Sequence, residues 1–465
     1  MKNFTYKALA VATAAACGAG AHAAGSASAT ASKYAVEAIT STTAVTLPTI
    51  TYTMGVARAS NQGFTIIVRQ PSGSATTLTC GSLPTVTTNA AGAAVVTVKR
   101  ASSTECAYDV DVTTNSTNVA VGNQINFAGI SINSHGLATV GATEKLNVAL
   151  YDTGETARID NSSDVQVTVA TSGRAVSLVA TQDTATQADV NFNSGNSPLF
   201  GFVAGGDDTA TQAYANFNIV VDATNYVNAT GSAALANTIL TNVVVTVAGD
   251  YAGLNTTFSA GNSTVTAAGN AGAVTPVVAY ANSATTITLT GAQLTPNGTT
   301  QVAVGLKTLG TVSLGTSRTF SATGVANPTT AGVGAQTLTG NANWWVWGAN
   351  GIELRSAFFN NDTANGNLTR FFFQNTGTAA TYSATCQAEA GVTPTYGTAK
   401  TGSLVAGTTA INASDICTFS TGKRGSITFT INSSAGKIKG VYQQAINGAA
   451  ASYIPLERPY AAGTY

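Results

Sequence analysis

Hydrophobic and polar residues alternate along this chain with a period of two, which is the period of a β-strand rather than of a helix. The clearest segments are β-branched and bounded by Gly, Asn, Ser or Pro: 63–70, 93–100, 164–171, 242–249, 285–294 and 425–432. In the last one, Ile427, Phe429 and Ile431 alternate with threonines, so one face is apolar and the other carries hydroxyl groups. The pattern predicts an all-β protein with several β-sandwich-like domains in tandem and few or no long helices.

The first 23 residues have the pattern of a bacterial secretory signal peptide. Two lysines precede the apolar run 8–16, and the segment ends in Ala21-His22-Ala23, an A-x-A cleavage site. The run is too short to span a bilayer, so we expect a secreted mature chain that begins near Ala24. The alternative, a lipoprotein lipidated at Cys17, lacks the usual leucine three positions before the cysteine.

Changes in composition divide the rest of the chain. The strongest linker signal is the Pro/Gly/Thr-rich stretch 324–343. We therefore expect an N-terminal β domain over 24–140, a middle β domain over 141–270, a β domain or linker region over 271–340, and a C-terminal β-sandwich domain over 341–465.

One segment of the middle region is repeated. DTATQADVNFN (183–193) recurs as DTATQAYANFN (208–218), 25 residues later and with two differences. That period fits one hairpin, and two copies favour a local duplication over a β-solenoid. The functional alternative is a repeated loop that binds a cation or a neighbouring copy through Asp183 and Asp208.

Composition excludes several classes of partner. Only 9% of the residues are charged, against roughly 25% in an ordinary soluble domain, and the formal net charge is zero. Without a basic block, nucleic acid is excluded as a partner, and no later stretch is apolar and long enough to cross a membrane. A neutral, charge-poor surface favours self-association, which is common among extracellular structural proteins.

Four of the five cysteines remain after cleavage at Ala23, and they form two local groups. We expect disulfides Cys80–Cys106 and Cys386–Cys417, each closing one or two hairpins within a domain. Metal ligation is the alternative, but the chain has no C-x-x-C motif and almost no histidine to complete a zinc site.

Catalytic signatures are missing from the sequence. His135, the one histidine left after cleavage, is flanked by Asn, Ser and Gly as in a turn, and no G-x-S-x-G motif occurs. Ser434 and Lys437 have the spacing of a serine acylase, but they lie between two predicted strands rather than at a helix start. We therefore predict that the protein is not an enzyme, although a glycosidase-type carboxylate pair leaves no sequence signature.

Calcium is the one cofactor that the sequence suggests, because Asp/Asn-rich turns supply the hard oxygen ligands that it prefers. The same residues also favour turns for reasons unrelated to ions. The candidate ligands are Asp160, Asp164, Asp207, Asp208 and Asp362.

All three tryptophans lie within NANWWVWGANGIELRSAFFNN, residues 341–361. Bulky residues alternate on both faces of the predicted strand, which favours a buried face and a contact face over a carbohydrate platform. We expect this strand to open the last domain. The predicted contacts between copies are Trp345, Trp347, Phe359 and Phe372.

The signal peptide, the Ala/Thr/Gly/Val/Asn bias, AVTLPTITYTMGVARASNQGFTIIVRQPSG (44–73) and the C-terminal segment IELRSAFFNNDT to GKIKGVYQ resemble surface-layer (S-layer) and related cell-surface proteins of Gram-negative bacteria. The resemblance implies a structural protein that assembles with copies of itself into a lattice on the outer surface, often with calcium. Its partners would be itself and the outer cell envelope, including lipopolysaccharide. The alternatives are an adhesin or pilus-like fibre subunit and a secreted hydrolase with accessory β domains.

Overall fold

A computed structural model describes residues 24–87, 94–113, 119–133, 135–189, 201–270, 272–312, 314, 318–349, 351–360, 366–420, 423–433, 437–445 and 452–457. The fold is all-β, as the alternation predicts. Helical structure in these residues is confined to the short α-helices Ala236–Ile239 and Ala413–Ile416 and to 3-10 turns at Val36–Ala38, Gly136–Ala138 and Thr398–Lys400. None of the described helices has the length and apolar character needed to cross a membrane.

The N-terminal unit contains thirteen described strands in three sheets, of orders β1-β4-β10-β7, β3-β11-β6 and β2-β13-β12-β5-β9-β8. The strands are β1 (Ser26–Ser28), β2 (Ser32–Ala35), β3 (Val45–Thr46), β4 (Ile50–Thr53), β5 (Phe64–Arg69), β6 (Thr77–Thr79), β7 (Thr85–Val86), β8 (Val95–Ala101), β9 (Glu105–Asp111), β10 (Gln124–Phe127), β11 (Ser131–Asn133), β12 (Thr143–Tyr151) and β13 (Val165–Gly173).

The middle unit is a sandwich of two sheets, of orders β14-β16-β22-β18-β19 and β15-β24-β23-β17-β21-β20. Its strands are β14 (Val176–Val179), β15 (Gln187–Ala188), β16 (Gln212–Val221), β17 (Leu240–Gly249), β18 (Thr264–Gly269), β19 (Gly272–Val274), β20 (Val277–Ala281), β21 (Ala284–Thr290), β22 (Gly298–Lys307), β23 (Arg318–Pro328) and β24 (Gln336–Ala349). Alternate residues such as Val243, Val245 and Val247 are fully buried between the sheets.

The C-terminal unit is a second sandwich, with sheet orders β25-β32-β27-β29 and β30-β26-β33-β34 and a small β28-β31 pair. Its strands are β25 (Ile352–Phe359), β26 (Leu368–Asn375), β27 (Ala380–Ala388), β28 (Thr395–Tyr396), β29 (Thr401–Leu404), β30 (Gly407–Asn412), β31 (Cys417–Thr418), β32 (Gly425–Ile431), β33 (Ile438–Ala445) and β34 (Ser452–Pro455). The Phe429 ring lies 4.8 Å from that of Phe373 and 4.9 Å from that of Phe371, so the two sheets meet through aromatic side chains.

The sheets place the unit boundaries elsewhere than composition does. β12 pairs with β5, so the N-terminal unit continues past residue 140 to Gly173. The turn-rich stretch 324–343 is not a linker but the β23–β24 hairpin, in which Val325 faces Thr337. Turn residues mark hairpins and linkers alike, and only the pairing of the strands distinguishes them. The C-terminal core begins at Ile352, and the tryptophans belong to the core that precedes it.

Candidate interaction surface

The tryptophan strand β24 is buried. Trp344, Trp345 and Trp347 are 0, 0 and 2% exposed. The Trp344 indole donates to the Asn216 carbonyl at 2.9 Å, and the Trp345 indole donates to the Thr186 hydroxyl at 3.0 Å. The predicted outward tryptophan face is therefore absent from this structure.

The reason is that distant segments cover the strand on both faces and along its edge. The Phe217 ring lies 5.6 Å from that of Trp344, and the Phe202 ring lies 5.0 Å from that of Trp347. Asp183 donates its backbone N–H to the Trp344 carbonyl and accepts from the Val346 N–H, so residues 183–188 run along the edge of β24. Of the other predicted contacts, Phe359 is fully buried in the C-terminal core and Phe372 is half-buried. None of the four residues offers a large exposed apolar face.

The two copies of the repeat pack against each other. The Thr186 hydroxyl of the first copy hydrogen-bonds the Asp208 carboxylate of the second, which also accepts the Tyr214 N–H at 2.7 Å. Burial raises the pKa of Asp208, and the charges of Asp183 and Asp207 add to this effect. The repeat thus forms one local cluster rather than two equivalent loops.

The candidate calcium ligands lie apart from one another. Asp160 accepts hydrogen bonds from the N–H groups of Gly25 and Gly55 and from the Tyr52 hydroxyl, all at 2.9 Å. Asp164 pairs with Arg69 at 2.7 Å and with Arg158; burial opposes ionisation, but these hydrogen bonds lower the pKa of Asp164. The oxygens of both residues therefore face protein donors rather than an open coordination site.

Asp207 and Asp208 lie in a tight turn closed by two backbone hydrogen bonds between Gly205 and Asp208. Asp362 lies outside the described residues. Across the described ranges, no group of three His, Cys, Asp or Glu side chains is placed to hold a metal ion. Calcium binding stays a prediction.

The cysteines join in the expected pairs, with Cα atoms 5.6 Å apart in Cys80–Cys106 and 6.7 Å apart in Cys386–Cys417. His135 is 3% exposed, with Nε2 2.8 Å from the Thr43 carbonyl and Nδ1 accepting the Leu137 N–H. Nδ1 therefore caps the turn at Gly136–Ala138, and Nε2 joins that turn to Thr43. Ser434 lies outside the described residues.

Each sandwich has one lateral side that its own chain leaves unpaired. In the middle unit, β19 and β20 are consecutive strands and are the terminal strands of the two sheets. In the C-terminal unit, β29 and β30 are likewise consecutive strands, and each is the terminal strand of one sheet. We call residues 272–281 the middle open side and residues 401–412 the C-terminal open side. Among the described residues, no strand pairs with the outer edge of either.

Neither open side contains a charged residue, and the whole segment 251–306 is free of Asp, Glu, Lys, Arg and His. Four of the five residues of β20 and three of the six residues of β30 are exposed. Val277 is 68% exposed, and Val405, in the connection before β30, is 55% exposed. Asn282 and Ser283 have φ values of 52° and 57°, the two left-handed residues of a type I′ hairpin turn. Alternation from this turn directs the N–H and C=O groups of Val278 and Tyr280 outward.

The other long edges carry the features that prevent strand pairing. β8 has Lys99 and Arg100. On the opposite side of the middle sandwich, residues 183–188 pair with the edge of β24, and the other terminal strand, β14, has only four residues. The opposite side of the C-terminal sandwich is closed by backbone hydrogen bonds of 2.7 and 2.8 Å between Arg355 and Glu457. The two open sides therefore stand out as surfaces able to accept another strand.

Comparison with known proteins finds no matching family model and no matching curated protein. Among solved structures, the chain is similar to BcpA, the major pilin subunit of Bacillus cereus, at 9% identity over 82% of this chain and 91% of that one, with a TM-score of 0.26. It is also similar to the C-terminal domain of BspA, an AgI/II polypeptide of Streptococcus agalactiae (8% identity, 66% and 93% coverage, TM-score 0.25). A third similar structure is the C-terminal domain of the antigen I/II-family protein AspA of Streptococcus pyogenes, at 8% identity over 70% of this chain and 99% of that one, with a TM-score of 0.25.

Proposed function

We propose that this chain is a secreted, non-enzymatic structural subunit that assembles with copies of itself at the cell surface. The observation that supports this function best is the pair of uncharged open sides, one on each sandwich. A fibre- or pilus-like assembly is preferred to an S-layer lattice, because two edges at separate places on one chain suffice to build a linear array.

The physical argument rests on what an exposed strand edge does in water. Its outward N–H and C=O groups pair readily with another strand, which is why monomeric β proteins place charges, prolines or bulges there. Here the edges carry exposed valines and no charge, and the one proline of the two open sides, Pro276, lies in the connection between β19 and β20 rather than in a strand. A net charge near zero also removes the repulsion that would keep copies apart.

A matched pair of variants tests this function. The secreted full chain is followed by light scattering and negative-stain electron microscopy over a range of concentrations, with and without calcium. We expect assemblies that Ala279→Lys on β20 abolishes and that Val98→Lys on the already charged β8 leaves intact. A monomer at every concentration, in either buffer, would refute the proposal.

A second candidate is an adhesin that binds a small polar ligand. It is favoured by a cleft of about 290 Å³ in the middle unit, lined by Asp207, Thr209, Tyr214, Asn216 and Ala303. An aromatic ring beside amide and carboxylate groups suits a polyol or sugar. Glycan-array binding that Tyr214→Ala removes, without any loss of assembly, would support this role.

A further inference from the structure

We propose that assembly is head to tail: the middle open side of one copy pairs with the C-terminal open side of the next. This inference rests on the proposed function and adds which two surfaces meet. The occupant of each open side is thus a second copy of this chain, presented through a different unit.

The distribution of charge favours this pairing over pairing of like sides. Residues 174–349 contain three basic and six acidic residues, a net charge of −3. Residues 350–465 contain eight basic and five acidic residues, a net charge of +3. Middle-to-C-terminal contact therefore brings opposite charges together, whereas middle-to-middle contact brings together two negative units. Such complementarity selects partners and accelerates their encounter.

The construction of the two sides is also matched. On each side, one short connection carries the chain from the edge of one sheet to the edge of the other, at residues 275–276 and 405–406. Each contact could therefore extend both layers of a sandwich at once. The strands are short, β20 having five residues and β30 six. A single contact would be small and weak, so assembly should depend on concentration.

The geometry decides the shape of the product. Pairing between different surfaces leaves one unused side at each end of every oligomer, so growth continues without closing. Pairing between identical surfaces would close at a dimer if only one open side were used, and it would give filaments with alternating like-to-like contacts if both were used. The cross-linked species, rather than filament formation alone, therefore distinguish head-to-tail from like-to-like pairing.

Single cysteines and a short bis-maleimide cross-linker distinguish these outcomes, because Cys80, Cys106, Cys386 and Cys417 are all held in disulfides. Ala279→Cys on β20 and Ala410→Cys on β30 both replace exposed alanines. Neighbouring strands lie roughly 5 Å apart, well within reach of the reagent. Circular dichroism confirms that each variant is folded.

We expect no cross-linked species from either variant alone, a covalent dimer from the mixture, and a ladder of higher oligomers from the double variant. Raised salt should reduce the ladder, because the charge attraction is screened. Cross-linked dimers of Ala279→Cys alone would overturn head-to-tail pairing while leaving self-assembly intact. Filaments without any cross-linking in the mixture would also overturn it. The absence of both filaments and cross-links would refute the proposed function itself.

Val278→Pro provides a second measurement. The N–H of Val278 points outward, so proline removes a donor from the edge without breaking the hairpin with β21. We expect the variant to cap filaments when mixed with the unmodified chain, shortening them in proportion to its fraction. Unchanged filament lengths would contradict the assignment of β20.

Discussion

Replacing Trp345 by alanine should test whether the tryptophan cluster is core or contact surface. The side chain is fully buried, its indole N–H donates to the Thr186 hydroxyl at 3.0 Å, and its ring lies 5.1 Å from that of Trp347 and 5.6 Å from that of Phe320. Removing it leaves a cavity among these rings. Because Thr186 and Trp345 are 159 residues apart, the substitution also loosens the segment that covers β24.

The expected size of the effect follows from burial. A fully buried tryptophan replaced by alanine costs about 3–5 kcal/mol of unfolding free energy. For a unit of this size, each kcal/mol lowers the melting temperature by about 2–4 °C, so a fall of roughly 6–20 °C is expected. Trp345→Phe keeps most of the ring and loses the hydrogen bond, and it should cost about 1–3 kcal/mol.

Guanidinium unfolding followed by tryptophan emission measures this change cleanly. All three tryptophans lie in the middle unit, so the emission reports that unit and not the C-terminal sandwich. Leu309→Ala is the control, since Leu309 lies in the same unit, is 53% exposed, and its loss should change stability by less than about 0.5 kcal/mol. If Trp345→Ala melts like the unmodified protein but assembles poorly, Trp345 is a contact residue and the burial argument is wrong.

Three further predictions concern stability. Replacing both Cys386 and Cys417 by serine opens a loop of 31 residues and should lower the free energy of unfolding by about 3.7 kcal/mol. The loss should be seen by circular dichroism but not by tryptophan emission. If both signals are lost together, the two units do not unfold independently. Glu37 is fully buried, and burial raises its pKa above the ordinary value of 4.5. Because the folded state disfavours the ionised carboxylate, the stability of the protein should fall as the pH rises above 4.5. Glu37→Gln should remove that decline in melting temperature; a pH-independent difference from the unmodified chain would be evidence against it. Asp160→Ala leaves the Gly25 and Gly55 N–H groups and the Tyr52 hydroxyl without their acceptor, so it should lower the free energy of unfolding by about 3 kcal/mol. It should also increase hydrogen exchange in β1. Unchanged protection of β1 would show that Asp160 does not hold that strand in place.

The sequence alone shows one property of the two open sides, which is that they contain no charged residues. The uncharged run 251–306 and the uncharged stretch 401–412 can be found by inspection. Their position at the edges of sheets cannot, because every β-strand has the same local alternation whether it is central or terminal. The order β19 and β20 take in their sheets depends on pairing with β18 and β21, and no residue pattern fixes that order.

Local chemistry determined the strands and the cysteine pairs of this protein. Alternation with a period of two sets which side chains share a face, and cysteines 26 and 31 residues apart in sequence meet within single units. Tertiary structure decided everything that depends on distant partners. The tryptophans are core because Phe217 of the facing sheet packs against Trp344, and Phe202 and Thr186 contact Trp347 and Trp345 on the other face. Asp160 holds the start of the described chain because it accepts a hydrogen bond from Gly25, 135 residues away. Whether the second face of a strand is buried depends on which other segment packs against it, and the strand's own sequence does not indicate which segment that is.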